Sequence, residues 1–212
     1  YGNTIIEEQI ISRDHTENLL MKNIQSIKIT KNKKKISKVK GKSYLNPLNL
    51  NIGGDRSSAA FFAALTLLNK NSTLKIKNVG LNPTRTGFYE ILKKQKVKIN
   101  FKNIIKDNNE IRGDILIKSS KLKPMNVPAS LYPRTTDEYL ILFVIASLTN
   151  GISTFKGISE LKGKESSRAH EMKKILNQID VKCKLSQNEM KIYGKGMIDA
   201  SNKKIVVGNL GD

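Results

Sequence analysis

The chain has 212 residues, enough to bury a proper core as one or two domains. It carries 38 Lys and Arg against 18 Asp and Glu, a net charge of +20, with a single cysteine that rules out a disulfide framework and fits a reducing, cytoplasmic setting. The longest apolar runs, at 59–68 and 140–148, are too short to span a bilayer, so no membrane association is expected, and no secretory signal is visible.

In chain order, residues 4–11 read as a strand and 14–23 as a helix with Arg13 just ahead of it. Residues 26–30 and 36–40 read as a hairpin, with a further strand at 48–52. Gly53-Gly54-Asp55 interrupts the pattern, and a helix of small and apolar residues follows over about 57–68. Two adjacent glycines allow a sharp redirection of the backbone, which makes this the candidate domain crossing. Next come a strand at 73–79, a loop at 81–87, a helix to about 94, and strands at 97–101, 111–117 and around 125–127. The stretch 136–149 is apolar on nearly every side, as a central helix must be. A strand ending near Gly157 then leads through a turn to Lys164-Glu165-Ser166-Ser167-Arg168, which opens a helix with Met172, Ile175, Leu176 and Ile179 as its buried stripe. At about 100° per residue, Arg168 and Glu165 project from that same face. Cys183 alternates with lysines in Val181-Lys182-Cys183-Lys184, as in a half-buried strand.

A strongly basic chain raises nucleic acid as a partner. Here the excess is mostly lysine, spread along a sequence also heavy in Ile and Asn, and it fits a compositional bias better than a binding stripe. The densest run, 31–42, has no aromatic interleaved and reads as a solvated hairpin, so no nucleic-acid partner is expected. The sequence starts at Tyr1 without a Met and stops at Asp212 after a glycine, and it is expected to be a piece of a longer protein.

The element order recurs. Residues 62–73 align with 143–154, pairing Leu67 with Leu148, Asn69 with Asn150 and Ser72-Thr73 with Ser153-Thr154. Each copy continues into a strand, a charged turn and a second helix, where Ile91-Leu92 matches Ile175-Leu176, and Val97-Lys98 then matches Val181-Lys182. Leu19-Leu20 and Ile27 supply the tail of the same unit near the start of the chain. The fold is expected to be a repeated helix-strand-helix-strand-strand unit. In that register Arg13, Arg85 and Arg168 stand at or near equivalent starts of the second helix, on its buried side. They are either inherited with the repeat or line an anionic cleft.

Other candidates leave two readings each. Glu165 with Arg168 is a simple ion pair three residues apart, or Lys164 and Arg168 at a positive helix end form an anion site. Asp137, at the head of the all-apolar helix, is an N-cap or a rigidly held general base. A phosphate-binding loop at Gly163-Lys164 is excluded, because Ile158 and Glu165 occupy positions that need Gly and Ser or Thr. His15, His170 and Cys183 do not form a metal-ligand pattern, and no metal or organic cofactor is expected.

Five stretches together carry a resemblance: Ser12-Arg13-Asp14-His15-Thr16-Glu17; Gly54-Asp55 with Ser57-Ser58-Ala59-Ala60-Phe61; Asn82-Pro83-Thr84-Arg85-Thr86-Gly87; Asp137-Glu138-Tyr139; and Lys164-Glu165-Ser166 with Arg168. In this order the chain resembles 5-enolpyruvylshikimate-3-phosphate synthase (3-phosphoshikimate 1-carboxyvinyltransferase), in its bacterial branch with an Asp-Glu-Tyr motif. The resemblance implies an α/β (α+β) fold of βαβαββ units, the two-domain enolpyruvyl transferase fold or inside-out α/β barrel, with the active site between the domains. Residues 1–53 then correspond to the C-terminal part of one domain and 54–212 to most of the second.

The implied reaction transfers the enolpyruvyl group of phosphoenolpyruvate to the 5-hydroxyl of shikimate 3-phosphate, with loss of phosphate, in aromatic amino acid biosynthesis. The implied roles are Asp137 as proton acceptor from the hydroxyl and Glu165 as acid/base at the methylene carbon. Lys164 contacts substrate, Arg168 binds phosphoenolpyruvate, and Arg13 belongs to the shikimate 3-phosphate site. The family is expected to act as a cytoplasmic monomer. This sequence departs from the family at Gly53, Leu140, Lys162, Gly163 and Ser167, and other substrate-binding segments fall outside it, so the 212 residues alone are expected to be inactive. The related UDP-N-acetylglucosamine enolpyruvyl transferase shares the architecture, but the Asn-Pro-Thr-Arg-Thr-Gly and Lys-Glu-Ser motifs argue against it. A basic RNA-binding module on the same repeats is the reading from another class.

Overall fold

The computed structural model describes residues 2–23, 27–31, 34–162 and 167–208. The first section contains β1 (Asn3–Glu8), α1 (His15–Asn23), β2 (Ile27–Lys31) and β3 (Lys35–Lys40). The second contains α2 (Arg56–Leu68), β4 (Thr73–Gly80), α3 (Gly87–Lys94), β5 (Ile99–Asp107) and β6 (Glu110–Lys118). The third contains β7 (Asn126–Val127), α4 (Tyr139–Ser147), β8 (Gly151–Lys156), α5 (Arg168–Gln178), β9 (Cys183–Leu185) and β10 (Glu189–Gly194).

The repeat is present in three dimensions. The strand after the central helix, β4 or β8, pairs antiparallel with the last strand, β6 or β10, whose other edge takes β5 or β9. The first sheet, ordered β1-β3-β2, has the same pattern. β8 also takes β7 in parallel on its free edge, and the counterpart on β4 is a single parallel bridge between Gly54 and Val79. That bridge replaces the strand expected at 48–52. Pro47 and Asn46, Asn49 and Asn51 disfavour a ladder there, and Leu48, Leu50 and Ile52 are exposed.

β5 runs six residues past its expected end at 101, whereas β6 starts within one residue of the expected 111. The β5–β6 hairpin closes through Asn108-Asn109, both left-handed (φ 48° and 62°), as a two-residue hairpin turn requires. Register shifts between Ile76 and Val79 and between Lys102 and Ile105 break the alternation that periodicity relies on. Both irregularities converge on Asp114. It accepts from the Asn78 backbone N–H at 3.1 Å and from Asn103 Nδ2 at 2.8 Å, and it pairs with Lys75 at 3.0 Å.

The core lies around α2 and α4, which pack on each other and on the sheets. Leu142, Phe143, Ile145 and Ala146 are fully buried, as expected of a central helix. Tyr139, Phe143 and Phe155 meet edge to face at 5.0–6.0 Å. The helix differs at its start: Thr136–Glu138 form a 3-10 turn, and α4 proper begins at Tyr139. α5 begins at Arg168 after Ser167, and the helix opening expected at Lys164 lies outside the described residues. Within the lysine-rich hairpin, Lys35 is not solvated. It is fully buried between Glu8 and Glu17, with its Nζ 2.6 Å from Glu17 Oε1, because two carboxylates replace its hydration.

Candidate active site

The site is built around Asp137, which the 3-10 turn Thr136–Glu138 presents at the head of α4. Thr135 and Glu138 on either side are buried, so the backbone here is held by packing. The N-cap reading of Asp137 does not hold. Neither the turn nor α4 has a side-chain cap, and the Asp137 carboxylate turns instead to two guanidinium groups. Its Oδ2 accepts from Arg13 Nη2 at 2.7 Å and from Arg85 Nη2 at 2.6 Å. Charge-assisted bonds of this length are the strong class.

The two arginines arrive differently. Arg85 ends the 3-10 turn Pro83–Arg85, which Asn82 initiates by accepting from the Thr84 N–H at 2.9 Å and from its hydroxyl at 2.8 Å, with Pro83 supplying a preset φ. Arg134 closes the turn from outside, donating from Nε and Nη2 to the Pro83 carbonyl at 2.9 and 2.6 Å. The Arg85 side chain is 7% exposed, and its Nη2 also donates to Ser57 Oγ at 3.2 Å. The Arg13 side chain is 50% exposed and precedes α1. The equivalent placement expected for three arginines therefore holds in sequence register but not in burial, since Arg168 is only half-buried.

The two motifs that carry these arginines dock directly. Asp14, buried, accepts from Asn82 Nδ2 at 2.8 Å, and the same carboxylate lies 3.2 Å from Thr84 Oγ1, whose proton is shared between it and Asn82. His15 Nδ1 lies 2.9 Å from Glu110 Oε2, and its Nε2 lies 3.1 Å from Arg56 Nη2. An imidazole with Nδ1–H donating to Glu110 and Nε2 accepting from Arg56 satisfies both contacts. Thus residues ahead of Gly53 are fastened to residues beyond it at the place where Arg13 meets Asp137.

Behind Asp137 lies a second carboxylate. Glu138 is 2% exposed, its Oε1 accepts from Ser57 Oγ, and its Oε2 has no partner among the described residues. Burial raises its pKa above the ordinary glutamate value, opposed by the Ser57 hydrogen bond. Ser57 sits in the first turn of α2, which Asp55 caps by accepting from the Ser57 and Ser58 N–H groups at 3.0 Å. Ser58 and those N–H groups hold the Asp55 pKa low against its desolvation.

A cavity of about 380 Å³ opens beside Arg13, lined by Ile10, Ser12, Arg13, Pro133, Thr136 and Glu160. The Tyr132 hydroxyl is buried without a hydrogen-bond partner among the described residues. Its pKa is pushed up to about 12, first by burial and then by Glu160, opposed by the neighbouring Thr136 side chain and by Arg168, with Asp137 adding to the rise. Arg168 thus acts on the same neighbourhood as Asp137. Lys164 and Glu165 lie outside the described residues. Among those described, no group of three or more His, Cys, Asp or Glu is arranged to hold a metal, and no helix is long and apolar enough to cross a membrane.

A model of the EPSP synthase family, described as 3-phosphoshikimate 1-carboxyvinyltransferase, matches residues 1–205. The chain belongs to the EPSP synthase family. This decides between the two enolpyruvyl transferase families that the motifs raised. The 3-phosphoshikimate 1-carboxyvinyltransferase of Thermodesulfovibrio yellowstonii is 40% identical over 91% of this chain and 45% of its own length. That of Bacillus subtilis is 34% identical over 92% of this chain and 45% of its own. The chain therefore spans about 45% of the length of these EPSP synthase relatives. Among solved structures, EPSP synthase from Acinetobacter baumannii superposes with a TM-score of 0.81 at 33% identity, covering 93% of this chain and 44% of that one. The enolpyruvyl transferase NikO from Streptomyces tendae superposes at 0.64 with 12% identity over 92% of this chain and 43% of that one, a likeness of fold.

Proposed function

We propose that the full-length protein transfers the enolpyruvyl group of phosphoenolpyruvate to the 5-hydroxyl of shikimate 3-phosphate. The observation that carries this reading is the meeting of Arg13 and Arg85 on one oxygen of Asp137, by residues 124 and 52 apart in sequence, in a chain of the EPSP synthase family. Asp137 takes the proton of the attacking hydroxyl as its oxygen bonds to the central carbon of phosphoenolpyruvate. Glu165 delivers a proton to the methylene carbon, giving a tetrahedral adduct, and takes one back as the carbon–oxygen bond to phosphate breaks.

Both substrates are anions, and bringing them together needs fixed positive charge. Arg13 belongs to the shikimate 3-phosphate site, Arg168 binds phosphoenolpyruvate, and Lys164 contacts substrate. Half-exposed Arg13 is the one of Asp137's two partners able to turn toward an incoming phosphate, with Arg85 remaining. In this reading residues 1–53 are the end of one domain and 54–212 most of the other, and the cavity beside Arg13 is part of the cleft between them. The protein is assigned as a cytoplasmic monomer that needs no metal or organic cofactor.

The test is phosphate release by the full-length protein with both substrates and with each alone, beside Asp137→Ala and Glu165→Ala. Release that needs both substrates and is lost in both variants supports the assignment. Release with either substrate alone counts against it.

A further inference from the structure

We infer that Arg85 is a positioning residue: it holds Asp137 by Oδ2 so that Oδ1 is the oxygen presented to the substrate hydroxyl. The inference rests on the reading of Asp137 as proton acceptor. The hydrogen bonds that the structure describes for Asp137 all end on Oδ2, one from each arginine. A carboxylate gripped at one oxygen keeps the other available, and its plane is then set by whatever grips it.

Arg13 is poorly suited to that task. Its side chain is half exposed, and a phosphate entering the cavity that it lines competes for its guanidinium. Arg85 is suited to it. It is buried, and its Nη2 is shared between Asp137 Oδ2 at 2.6 Å and Ser57 Oγ at 3.2 Å. The Ser57 hydroxyl is directed in turn onto buried Glu138, the residue after Asp137. Arg85, Ser57, Glu138 and Asp137 therefore close a ring, so that a shift of the Asp137 carboxylate must strain hydrogen bonds on both sides of it. The backbone under Arg85 is fixed separately by Asn82 and by Arg134 on Pro83. A lysine at position 85 keeps the charge, but its ammonium is a point charge on a flexible stem and lacks the rigid planar guanidinium that fixes Nη2 between Asp137 and Ser57. Reaction geometry is sensitive at this scale, where a displacement of about 1 Å costs on the order of a hundredfold in rate.

The experiment measures steady-state phosphate release by full-length wild type, Arg85→Ala and Arg85→Lys with both substrates. Single-turnover rates are added for Asp137→Ala and for the double variant Arg85→Ala/Asp137→Ala. Thermal unfolding of each protein is followed alongside, and Arg85→Lys carries the comparison if Arg85→Ala does not fold. The expected result is a kcat lower by roughly 10- to 100-fold in Arg85→Ala with both KM values within about threefold of wild type. Arg85→Lys falls between. Adding Arg85→Ala to Asp137→Ala leaves the residual rate unchanged, because nothing remains to be positioned. A kcat within about threefold of wild type in Arg85→Ala would overturn the inference. So would an equal loss with and without Asp137, which would mean that Arg85 acts elsewhere. Wild-type protein that releases no phosphate, or an Asp137→Ala variant as fast as wild type, would instead sink the reading of Asp137 and this inference with it.

Discussion

Gly87 opens α3 directly against the segment that presents Asp137. A Cβ built there would lie 1.9 Å from Thr135 Oγ1, 2.8 Å from the Arg134 carbonyl oxygen and 2.9 Å from its carbon. The Thr135 side chain is fully buried and cannot swing into solvent, and two of the three close atoms are backbone. Gly87→Ala must therefore push residues 134–135 away from α3, and overpacking of this kind costs about 1–3 kcal/mol. Alanine is the better helix former by up to about 1 kcal/mol in a helix interior, and by less at the first position, so the clash dominates. At roughly 2–4 °C per kcal/mol for 150–250 residues, and less for a longer chain, the full-length midpoint falls by a few degrees at most. Because Asp137 follows Thr135 by two residues, kcat falls as well. Thermal unfolding and phosphate release on the full-length variant measure both effects. An unchanged or higher midpoint with wild-type kcat would refute the close packing of α3 on this segment and its hold on Asp137.

Two further outcomes follow from single groups. Asp114 is held at about 2, below its ordinary 3.8, first by its hydrogen bond from Lys75 and then by those from Asn78 and Asn103. A lowered folded-state pKa stabilises the fold above the unfolded value, and that stabilisation is lost as pH falls from about 3.8 through about 2. Asp114→Asn should flatten stability against pH in that window, and an unchanged slope would count against the cluster. The Cys183 thiol is pushed up to about 11 from 9.0 by burial. Two pH units mean about a hundredfold less thiolate at pH 8, so alkylation of native protein should be slower than that of the unfolded chain by at least that factor. Comparable rates would mean that β9 does not bury it.

What the residues reveal without coordinates is uneven, for physical reasons. α2, α3, the central α4 and the antiparallel strand pairs follow from periodicity, and the repeat follows from matching those periods at a fixed offset. The long β5–β6 hairpin escapes a periodicity reading because the bulge between Lys102 and Ile105 resets the alternation of β5. The strand expected at 48–52 failed because apolar residues alone do not supply a neighbour to pair with, and only the Gly54–Val79 bridge forms. Lys35 read as solvated because its carboxylate partners come from β1 and α1. At the site, Arg13 and Asp137 were named from motifs, and they meet. Ser57 and Glu138 were not named as site residues, since their contact spans 81 residues and depends on α2 packing beside the head of α4. Arg85 carried a signal in the three-arginine register, but not the fact that it shares a carboxylate with Arg13.

The most direct test of the central claim follows phosphorus by NMR as the full-length protein is mixed with shikimate 3-phosphate and phosphoenolpyruvate. Carboxyvinyl transfer predicts that the phosphoenolpyruvate signal converts one for one into inorganic phosphate. The shikimate phosphate ester persists, shifted, in an enol ether product. Loss of the shikimate ester, or phosphate formed from phosphoenolpyruvate without that product, would contradict it.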